Sequence, residues 1–546
     1  MSVTPFPPMT PTKSFVQHWP FRWITWPRVV LGILWLLSLV AAARLGLFIV
    51  EKRVPILRRI GLLEMSGIKQ TNLYAVAFQR VPVAEDGRYG AIAPLLNGVL
   101  FSSRSGRLWY FDSTRTGHAL KLRVPVHAEE FDADPANATT TEKDHFAVKG
   151  LLVQPTATGV RILSSHNHWD SAKGCYGLRV SVVEMRVDAL LAGGTGTWRT
   201  LFDTRPCLDL APPGSGRRMP TIGAGGRMVP LSDREILLTV GVFISDALTT
   251  SDPEGIRSAD TDYGKTIAID LRTARTRVFS RGHRNPQGLA VGEDGRIWMT
   301  EHAARGGDEL NLVRQGGDYG FPYVSYGTAY GTLDWPLGTE TGRHEGYDKA
   351  TFAWVPSIGP SQLVVVRGTA FARWRGDLLV SSLAARSLFR LRLEGDRVVY
   401  AEPIETIHRM RDLIETTKGE IVLLAEDGFL DYFLPVDAAM DNASLDPLSR
   451  GQLVAGRCQG CHTFERNGAN GNGPNLYGIL GRRVAAVQDF NYSQAMRGAG
   501  GRWSEEVLRR FLSDPTAVVP GTSMELPAPL TPEEIDHLLV YLRSVR

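Results

Sequence analysis

Residues 72–435 form a series of short apolar runs that are separated by turn residues. GVLFS from Gly98 and EILLTV from Glu235 are typical runs, and Asp-Gly turns such as Asp294-Gly295 recur before them. Runs of this length between Gly, Asp and Pro predict β-strands, and no long helical period competes with them. About 360 residues of short antiparallel strands suit a β-propeller of about six blades, with a pair of β-sandwiches as the alternative.

A second feature lies near the C-terminus, where Cys458 and Cys461 are followed directly by His462. This spacing is the attachment signature of a c-type haem. Each thiol would form a thioether to a haem vinyl group, and the imidazole would be the proximal iron ligand. Met524, which follows a Pro-Gly turn, is the predicted second ligand, because a Met/His pair raises the haem potential and leaves no open iron site. Met496 is the alternative, but no turn precedes it.

With this motif, residues 447–546 resemble a class I cytochrome c of the mitochondrial and bacterial c2 type, an all-α domain. The resemblance implies that the Pro474 carbonyl holds the proximal histidine. It implies that Arg482, Tyr492 and Trp503 contact the haem propionates, and that the Thr522 hydroxyl lies beside the methionine.

A terminal helix over residues 531–545 is predicted from its apolar face and from Pro532 and Glu533 in the first turn. We expect it to pack on a first helix near residues 447–457.

The N-terminus contains an apolar stretch over residues 29–50, interrupted by Arg44. It is long enough to span a bilayer, which predicts an uncleaved transmembrane anchor. A cleaved signal peptide and a buried helix are the alternatives. Basic residues flank both ends, so charge does not settle the orientation. By the resemblance to c-type cytochromes, the haem is attached outside the bacterial cytoplasm, so we expect the body of the protein in the periplasm, anchored at the inner membrane. Residues 1–28 would then lie in the cytoplasm, and residues 51–71 would be a linker.

The cysteine count and the charge add two expectations. Four cysteines occur, and Cys175 and Cys207 are not part of the haem motif. In an oxidising compartment they are a disulfide candidate, and two separate buried thiols are the alternative. The formal net charge is only +4, without a basic block, so nucleic acid is not an expected partner.

Two stretches of the middle region carry a further resemblance: GHRNPQGL at residues 282–289 and TEHAARGGDELN at residues 300–311. They resemble the glucose/sorbosone dehydrogenase family, six-bladed propellers that use pyrroloquinoline quinone (PQQ). Later matches lie at residues 354–357, 374–378 and 409–412.

The resemblance implies a PQQ and Ca²⁺ site in the propeller. PQQ is a planar tricarboxylate, so guanidinium groups suit its carboxylates, and backbone carbonyls suit Ca²⁺. Ca²⁺ would be held by the backbone of Ala303 and Ala304. The residues implied for the PQQ pocket are Arg284, Asn285, Asp308, Ser357, Arg409 and Arg411.

The general base departs from the family pattern. Gly223 stands where the family has its base histidine, and Ala384 stands where it has a lysine on PQQ, with Arg386 close by. Removing a hydride from an alcohol needs a base for the hydroxyl proton, a contribution of about 10² to 10⁴ in rate. The candidates for a replacement base are His302, His166 and His168. For His166 and His168 the alternative is a purely structural role on a loop at the rim.

Taken together, these residues predict a membrane-anchored periplasmic quinohaem dehydrogenase. The propeller, residues 72–435, would oxidise a sugar or alcohol with PQQ and Ca²⁺. A polar linker at residues 436–446 would tether the haem domain and raise its effective concentration. Electrons would pass through the haem to a soluble cytochrome or a terminal oxidase. One alternative is a propeller that has lost PQQ and serves as a docking module; a lactonase with a carboxylate-bound metal is a weaker one.

Overall fold

A computed structural model describes residues 66–83, 89–134, 146–209, 223–243, 253–329, 343–436, 446–459, 461–526 and 529–546. Within these residues the strands form six antiparallel sheets, which confirms the six-bladed propeller. The predicted anchor at residues 29–50 lies outside the described residues. Among the residues that are described, no helix is long and apolar enough to cross a membrane.

The strands follow the chain blade by blade, except that the first two join the last blade. These two are β1 (Ser66–Gln70) and β2 (Ala75–Pro82). Blade 1 contains, from the channel outward, β3 (Ala91–Leu95), β4 (Gly98–Ser102), β5 (Arg107–Phe111) and β6 (Gly117–Arg123). Blade 2 contains β7 (Val148–Thr156), β8 (Gly159–Asp170), β9 (Cys175–Met185) and β10 (Arg199–Asp203), with β11 (Leu208–Asp209) paired to β9.

Blades 3 to 5 have four strands each. Blade 3 contains β12 (Gly225–Pro230), β13 (Glu235–Val240), β14 (Lys265–Asp270) and β15 (Thr276–Arg281). Blade 4 contains β16 (Pro286–Val291), β17 (Ile297–Glu301), β18 (Asp308–Val313) and β19 (Phe352–Trp354). Blade 5 contains β20 (Pro360–Val365), β21 (Leu378–Ser382), β22 (Ser387–Glu394) and β23 (Arg397–Glu405).

Blade 6 combines strands from both ends of the propeller. Its inner strands are β24 (Met410–Glu415), β25 (Ile421–Ala425) and β26 (Phe429–Pro435), and β2 and β1 complete it on the outside. The buried pair Arg80–Asp431 joins β2 to β26 with hydrogen bonds of 2.8 and 3.0 Å. Strand β1 lies in the segment that the sequence predicts as a linker, residues 51–71, and it extends the sheet there.

Burial follows the layers of the blades. The second strands β4, β21 and β25 are buried at every position, because neighbouring blades cover both of their faces. This is why they read in the sequence as continuous apolar runs. The outer strand β6 is exposed at most positions. The innermost strands contact one another in a closed cycle around a central channel.

Four of the six innermost strands share an irregularity near their first residue. In β7, β16, β20 and β24 the second residue is an extra, unpaired residue, a β-bulge. Bulges redirect side chains and are enriched beside active sites. We call this end of the channel, where the innermost strands begin, the channel mouth. The bulged residues are Lys149, Gln287, Ser361 and Arg411.

The guanidinium of Arg227 connects four blades at the channel mouth. It donates to the Asp412 carboxylate at 2.7 Å and to the carbonyls of Gln287, Arg411 and Ser361 at 2.9, 2.9 and 3.2 Å. Arg227 and Asp412 are both buried. We refer to this arrangement as the Arg227 hub, since it closes the floor of the mouth.

Short helices connect the blades, and longer ones form the C-terminal domain. The connecting helices are α1 (Ala128–Ala133), α2 (Val187–Leu191), α3 (Pro253–Arg257) and a 3₁₀ turn at Ala372–Trp374. The C-terminal helices are α4 (Pro447–Gly456), α5 (Gln494–Gly498), α6 (Glu505–Ser513), α7 (Pro515–Val518) and α8 (Pro532–Ser544).

Helix α8 begins at the expected position. Thr531 caps it, accepting from the Glu534 N–H while the Glu534 carboxylate accepts from the Thr531 N–H. This capping box satisfies two backbone donors that a helix start leaves unpaired. Helix α8 packs on α4, as predicted from its apolar face. Gly451 permits the close crossing, because a Cβ there would collide with the His537 carbonyl.

The C-terminal domain packs on blade 6 through α4. Leu453 joins an apolar cluster with Ala77 of β2 and Leu434 of β26. Gln452 exchanges two hydrogen bonds with Ser66 of β1, of 3.1 and 3.2 Å. The helix that precedes the haem motif therefore rests directly on the propeller.

Candidate functional site

The C-terminal domain encloses an apolar cavity of about 300 Å³. Cys458, Cys461 and His462 line it on one side, and Met524 lines it as well. All the residues predicted to contact haem line the same cavity, namely Pro474, Arg482, Tyr492, Trp503 and Thr522. The donor set of two thiols, an imidazole and a thioether fits a c-type haem.

His462 is held for iron ligation by its Nδ1 atom. Nδ1 donates to the Pro474 carbonyl at 2.7 Å, so that Nε2 carries the lone pair that an iron would take. A hydrogen bond at the other ring nitrogen fixes the tautomer and orientation of a ligating histidine. Gly473 lies flat against the ring, where a Cβ would stand 2.5 Å from Nδ1.

Arg482 supports the loop that carries Pro474. Its guanidinium donates to the Asn475 carbonyl at 2.8 Å and to the Tyr477 carbonyl at 3.1 Å. Burial lowers the pKa of Arg482, since this cation is enclosed beside an apolar cavity. An acidic propionate would compensate that charge, which agrees with the predicted contact.

Both methionines that the sequence offers as the second ligand line the cavity. Met524 follows a loop in which the Thr522 hydroxyl accepts from its backbone N–H at 3.2 Å. Met496 lies on α5 and is buried in the apolar cluster of the domain. Met524 as the axial ligand therefore stays a prediction, with Met496 as the matched comparison.

Replacing Met524 with alanine is expected to remove the thioether from the haem iron. The reduction potential should fall, because the Met/His pair is what raises it, and the weak absorption of ferric iron–thioether bonding near the red edge of the spectrum should vanish. Met496→Leu keeps the volume and should preserve both properties. A redox titration of the two variants decides, and the opposite pattern would assign Met496 as the ligand.

At the channel mouth, the guanidinium of Arg284 donates to the Ala303 carbonyl at 2.8 Å and to the His302 carbonyl at 3.3 Å. Ala303 supplies one of the backbone oxygens predicted for Ca²⁺. In this structure that oxygen accepts a hydrogen bond from Arg284, and the calcium site at Ala303 and Ala304 stays a prediction. Asn285 lies beside Arg284 and accepts from Gln287 Nε2 at 2.6 Å.

Asp308 and Ser357 brace the mouth from inside. Asp308 accepts from the N–H groups of Ala303 and Gly359 at 3.1 and 2.7 Å and from the Ser357 hydroxyl at 3.0 Å. Asp308 is buried, and both carboxylate oxygens are engaged by the protein. It therefore holds two loops together, and its negative charge is unsuited to a tricarboxylate.

Arg409 and Arg411 share one carboxylate, that of Glu426, at 2.5 and 3.1 Å. Burial raises the pKa of Glu426, but the two guanidiniums outweigh burial and hold that pKa below its ordinary value. Among the described residues, the buried Nε of Arg411 has no hydrogen-bond partner. Its guanidinium also covers the ring of Tyr89, 4.3 Å from the centroid. The Arg411 donor fits a carboxylate ligand at the mouth.

The three histidines proposed as a base differ in what their nitrogens contact. His302 Nε2 donates to the Pro360 carbonyl at 2.6 Å, which leaves the lone pair on Nδ1. Burial lowers the pKa of His302, and Asp308 partly opposes the shift. His166 is fully buried and bonds the Asn167 carbonyl and the Ser181 hydroxyl at 2.8 and 3.0 Å, and burial lowers its pKa to about 3. His166 therefore has no nitrogen left for a substrate.

His168 lines a separate surface pocket with His127, Glu130 and Asp134 on α1 and its flank. Burial lowers its pKa. None of the residues implied for PQQ lines that pocket, so His168 is not grouped with the channel mouth.

The two positions that depart from the family pattern have different surroundings. Gly223 has a φ of +74°, and a Cβ there would lie 2.9 Å from the Phe243 carbonyl oxygen. A histidine at Gly223 would thus be strained on this backbone. Ala384 is exposed and donates its N–H to the Ile358 carbonyl at 2.9 Å. Arg386 nearby is exposed with a φ of 50°.

The sequence did not indicate two other charged groups at this end of the channel. Lys149 is the bulged residue of β7, and Glu426 pairs with both arginines. The bulge depends on how β7 pairs with β8, which is not visible in the local pattern.

Cys175 and Cys207 are joined by a disulfide in blade 2, with a Cα–Cα distance of 5.7 Å.

Comparison with known proteins agrees with the division of the chain into a propeller and a C-terminal haem domain. The Glucose / Sorbosone dehydrogenase family matches residues 221–430. The cytochrome c2 of Agrobacterium tumefaciens is 41% identical over 98 residues, which cover 17% of this chain and 88% of that protein. The aldose sugar dehydrogenase of Escherichia coli is 29% identical over 157 residues, 28% of this chain and 42% of that protein.

Among solved structures, the apo form of the soluble aldose sugar dehydrogenase from Escherichia coli superposes with a TM-score of 0.53 at 21% identity. The superposition covers 66% of this chain and 99% of that one, which supports the propeller fold. Some similar proteins extend well beyond the match. An uncharacterised protein of Synechocystis sp. is 37% identical over 155 residues, and the match covers 28% of this chain and 37% of that protein.

Proposed function

Because this chain belongs to the cytochrome c family through its C-terminal domain, we propose that it is a quinohaem dehydrogenase. The propeller oxidises a hydroxyl group of a sugar or alcohol with PQQ, and a covalent haem c accepts the electrons. The observation that carries the proposal is that both parts meet on blade 6. Its strand β24 supplies Arg411 at the channel mouth, while its outer strands hold the helix that leads to Cys458.

The residues for PQQ are the cationic groups at the mouth. Arg411 and Arg409 would bind its carboxylates, with Arg284 and Asn285 on the segment that leads into blade 4. PQQ, when bound, supplies a two-electron acceptor for hydride. The protein's own contribution is to fix these donors, and the Arg227 hub and the hydrogen bonds that Asp308 accepts do so.

In the haem domain, Cys458 and Cys461 would anchor the group, and His462 and Met524 would hold the iron. The Pro474 carbonyl keeps the imidazole in one tautomer. The apolar cavity excludes water, which favours electron transfer over oxygen chemistry.

The cellular setting is part of the proposal. Residues 29–50 anchor the chain in the bacterial inner membrane, and the body faces the periplasm. A soluble cytochrome or a terminal oxidase takes the electrons from the haem. The apolar stretch and the thioether chemistry of the CxxCH motif support this setting.

The test is haem reduction by the purified full chain loaded with PQQ, against a panel of aldoses and alcohols. We expect a substrate to reduce the haem only when PQQ is present. Adding Ca²⁺ or EDTA tests the predicted calcium site in the same assay. In the variant Cys458→Ser/Cys461→Ser, an artificial dye should still be reduced while the haem signal is lost. If PQQ binds and no substrate reduces either haem or dye, the dehydrogenase is refuted.

A second function is favoured by Gly223, Ala384 and the ion pairs of Glu426. A propeller without the family's base and lysine, in which Arg409 and Arg411 are paired with Glu426, would serve as a docking module for an electron-transfer partner. PQQ would then fail to bind in an equilibrium measurement. Haem would still be reduced by a partner cytochrome in both cases, so PQQ affinity separates the two functions.

A further inference from the structure

The general base that the dehydrogenase chemistry requires has no histidine at its usual position, and another basic group lies beside that segment. Lys149 is the extra residue of the bulge in β7, as Arg411 is in β24. A Cβ on Gly226 would stand 2.5 Å from the Cβ of Lys149. The lysine stem therefore runs along the Gly223–Arg227 segment, in which the family has its base.

Lys149 occupies a bulge at the channel mouth in blade 2, as Arg411 does in blade 6. Blade 1 separates blade 2, which carries Lys149, from blade 6, which carries Arg411. The charge of Arg411 is one of the causes that lower the pKa of the Lys149 amine. By its bulge position, Lys149 lies at the same end of the channel as the arginines for PQQ.

We propose that Lys149 is the general base of the oxidation, in place of the absent histidine. This inference rests on the proposed function. The O–H bond of the substrate breaks, and its proton forms an N–H bond with the neutral Lys149 amine. The C–H electron pair leaves as hydride to an acceptor of the quinone class, and the carbinol carbon becomes a carbonyl. The ammonium then returns its proton to solvent.

The surroundings of the amine favour its neutral form. Burial, with the charges of Arg411 and Arg104 acting in the same direction, lowers the pKa of Lys149 to about 7. On the elements packed against β7, Arg227 is engaged in the hub, and His166 is neutral at pH 7. Strand β3 carries no ionisable side chain. A lysine in such a site can accept a proton near neutral pH.

The first measurement needs neither PQQ nor substrate. Trace acetylation of the full chain over a range of pH, read by mass spectrometry, reports the titration of each lysine amine. Lys149 should titrate near pH 7, well below the ordinary lysine value of about 10.4. A Lys149 midpoint at that ordinary value would overturn the proposal.

The second measurement uses the holo-protein and three variants. Lys149→Met keeps the stem and should lower kcat by about 10² to 10⁴, with PQQ affinity and the haem spectrum unchanged. Lys149→Arg keeps the charge and should be equally slow, and Lys121→Met should match the wild type. For the wild type, kcat/KM should rise with pH through about 7, because the base must lose its proton, and Lys149→Met should lose this rise.

Two outcomes of the kinetics contradict the proposal. Full activity of Lys149→Met would exclude the amine as the base. Weak PQQ binding in Lys149→Met that Lys149→Arg restores would make the residue a charge partner of the cofactor. If the wild type itself oxidises nothing with PQQ bound, the proposed function fails, and acetylation still reports on the amine.

Discussion

Gly473→Ala is expected to displace the proximal histidine. The new Cβ would lie 2.5 Å from His462 Nδ1, closer than Cβ atoms approach other groups, so the ring or the loop must move. Either shift breaks the hydrogen bond to the Pro474 carbonyl. We expect covalent haem content to persist, since the two cysteines are unchanged, while most of the low-spin, imidazole-ligated haem spectrum is lost. Overpacking should also lower the domain stability by about 1–3 kcal/mol.

Gly498→Ala is the matched control in the same domain. A Cβ at Gly498 would meet nothing within 4 Å, so its haem spectrum should equal that of the wild type. Visible spectra and the reduction potential of both variants give the comparison. An unaltered spectrum in Gly473→Ala would mean that the glycine does not define the position of the imidazole.

Arg227→Met is expected to lower the free energy of unfolding of the propeller by about 3–5 kcal/mol, because removing one partner leaves a buried charge uncompensated. The side chains of Arg227 and Asp412 are only 8% and 1% exposed. Methionine fills the space of the arginine stem, but Asp412 and three backbone carbonyls lose their donor. Adding Asp412→Asn should recover part of the loss, since the unpaired charge is then removed.

The control for this buried pair is an exposed one. Arg179 bonds Asp203 in blade 2 at 2.6 and 2.8 Å, and the two side chains are 22% and 47% exposed. Arg179→Met should change stability by less than about 1 kcal/mol, because water screens such pairs. Denaturant titrations of the propeller supply both values. Equal effects in the two variants would show that the Arg227 hub contributes nothing through its burial.

The haem domain could be predicted from the sequence because its determinants are local. Cys458, Cys461 and His462 are nearly contiguous, and the capping residue Thr531 marks the start of α8 by itself. The number of blades also followed, since buried strands such as β4, β21 and β25 are short apolar runs between turns. Strand β1 did not, because its partners, β2 and Gln452, are defined only in the folded chain.

The sequence predicts which residues lie at the channel mouth better than it predicts what each side chain does there. Arg411 and Arg284 do lie there, with their donors toward the mouth or the neighbouring loop. Asp308 was grouped with the PQQ residues, yet its carboxylate is consumed by hydrogen bonds to two loops. The reason is that a motif identifies a position, whereas the direction of each side chain depends on bulges and on neighbouring blades. Lys149 is the example with the largest consequence.

The two-ended construction of blade 6 also orders the assembly of the protein. Arg80 and Asp431 are 351 residues apart, so the ring cannot close until the last strand of the propeller has been synthesised. Closing a loop of that length carries an entropy term of about 5 kcal/mol, which the blade's hydrogen bonds and apolar contacts must repay together. The surface that receives α4 consists of β1, β2 and β26, so it exists only after closure. The haem domain can therefore reach its resting place on the propeller only once the ring beneath it is complete.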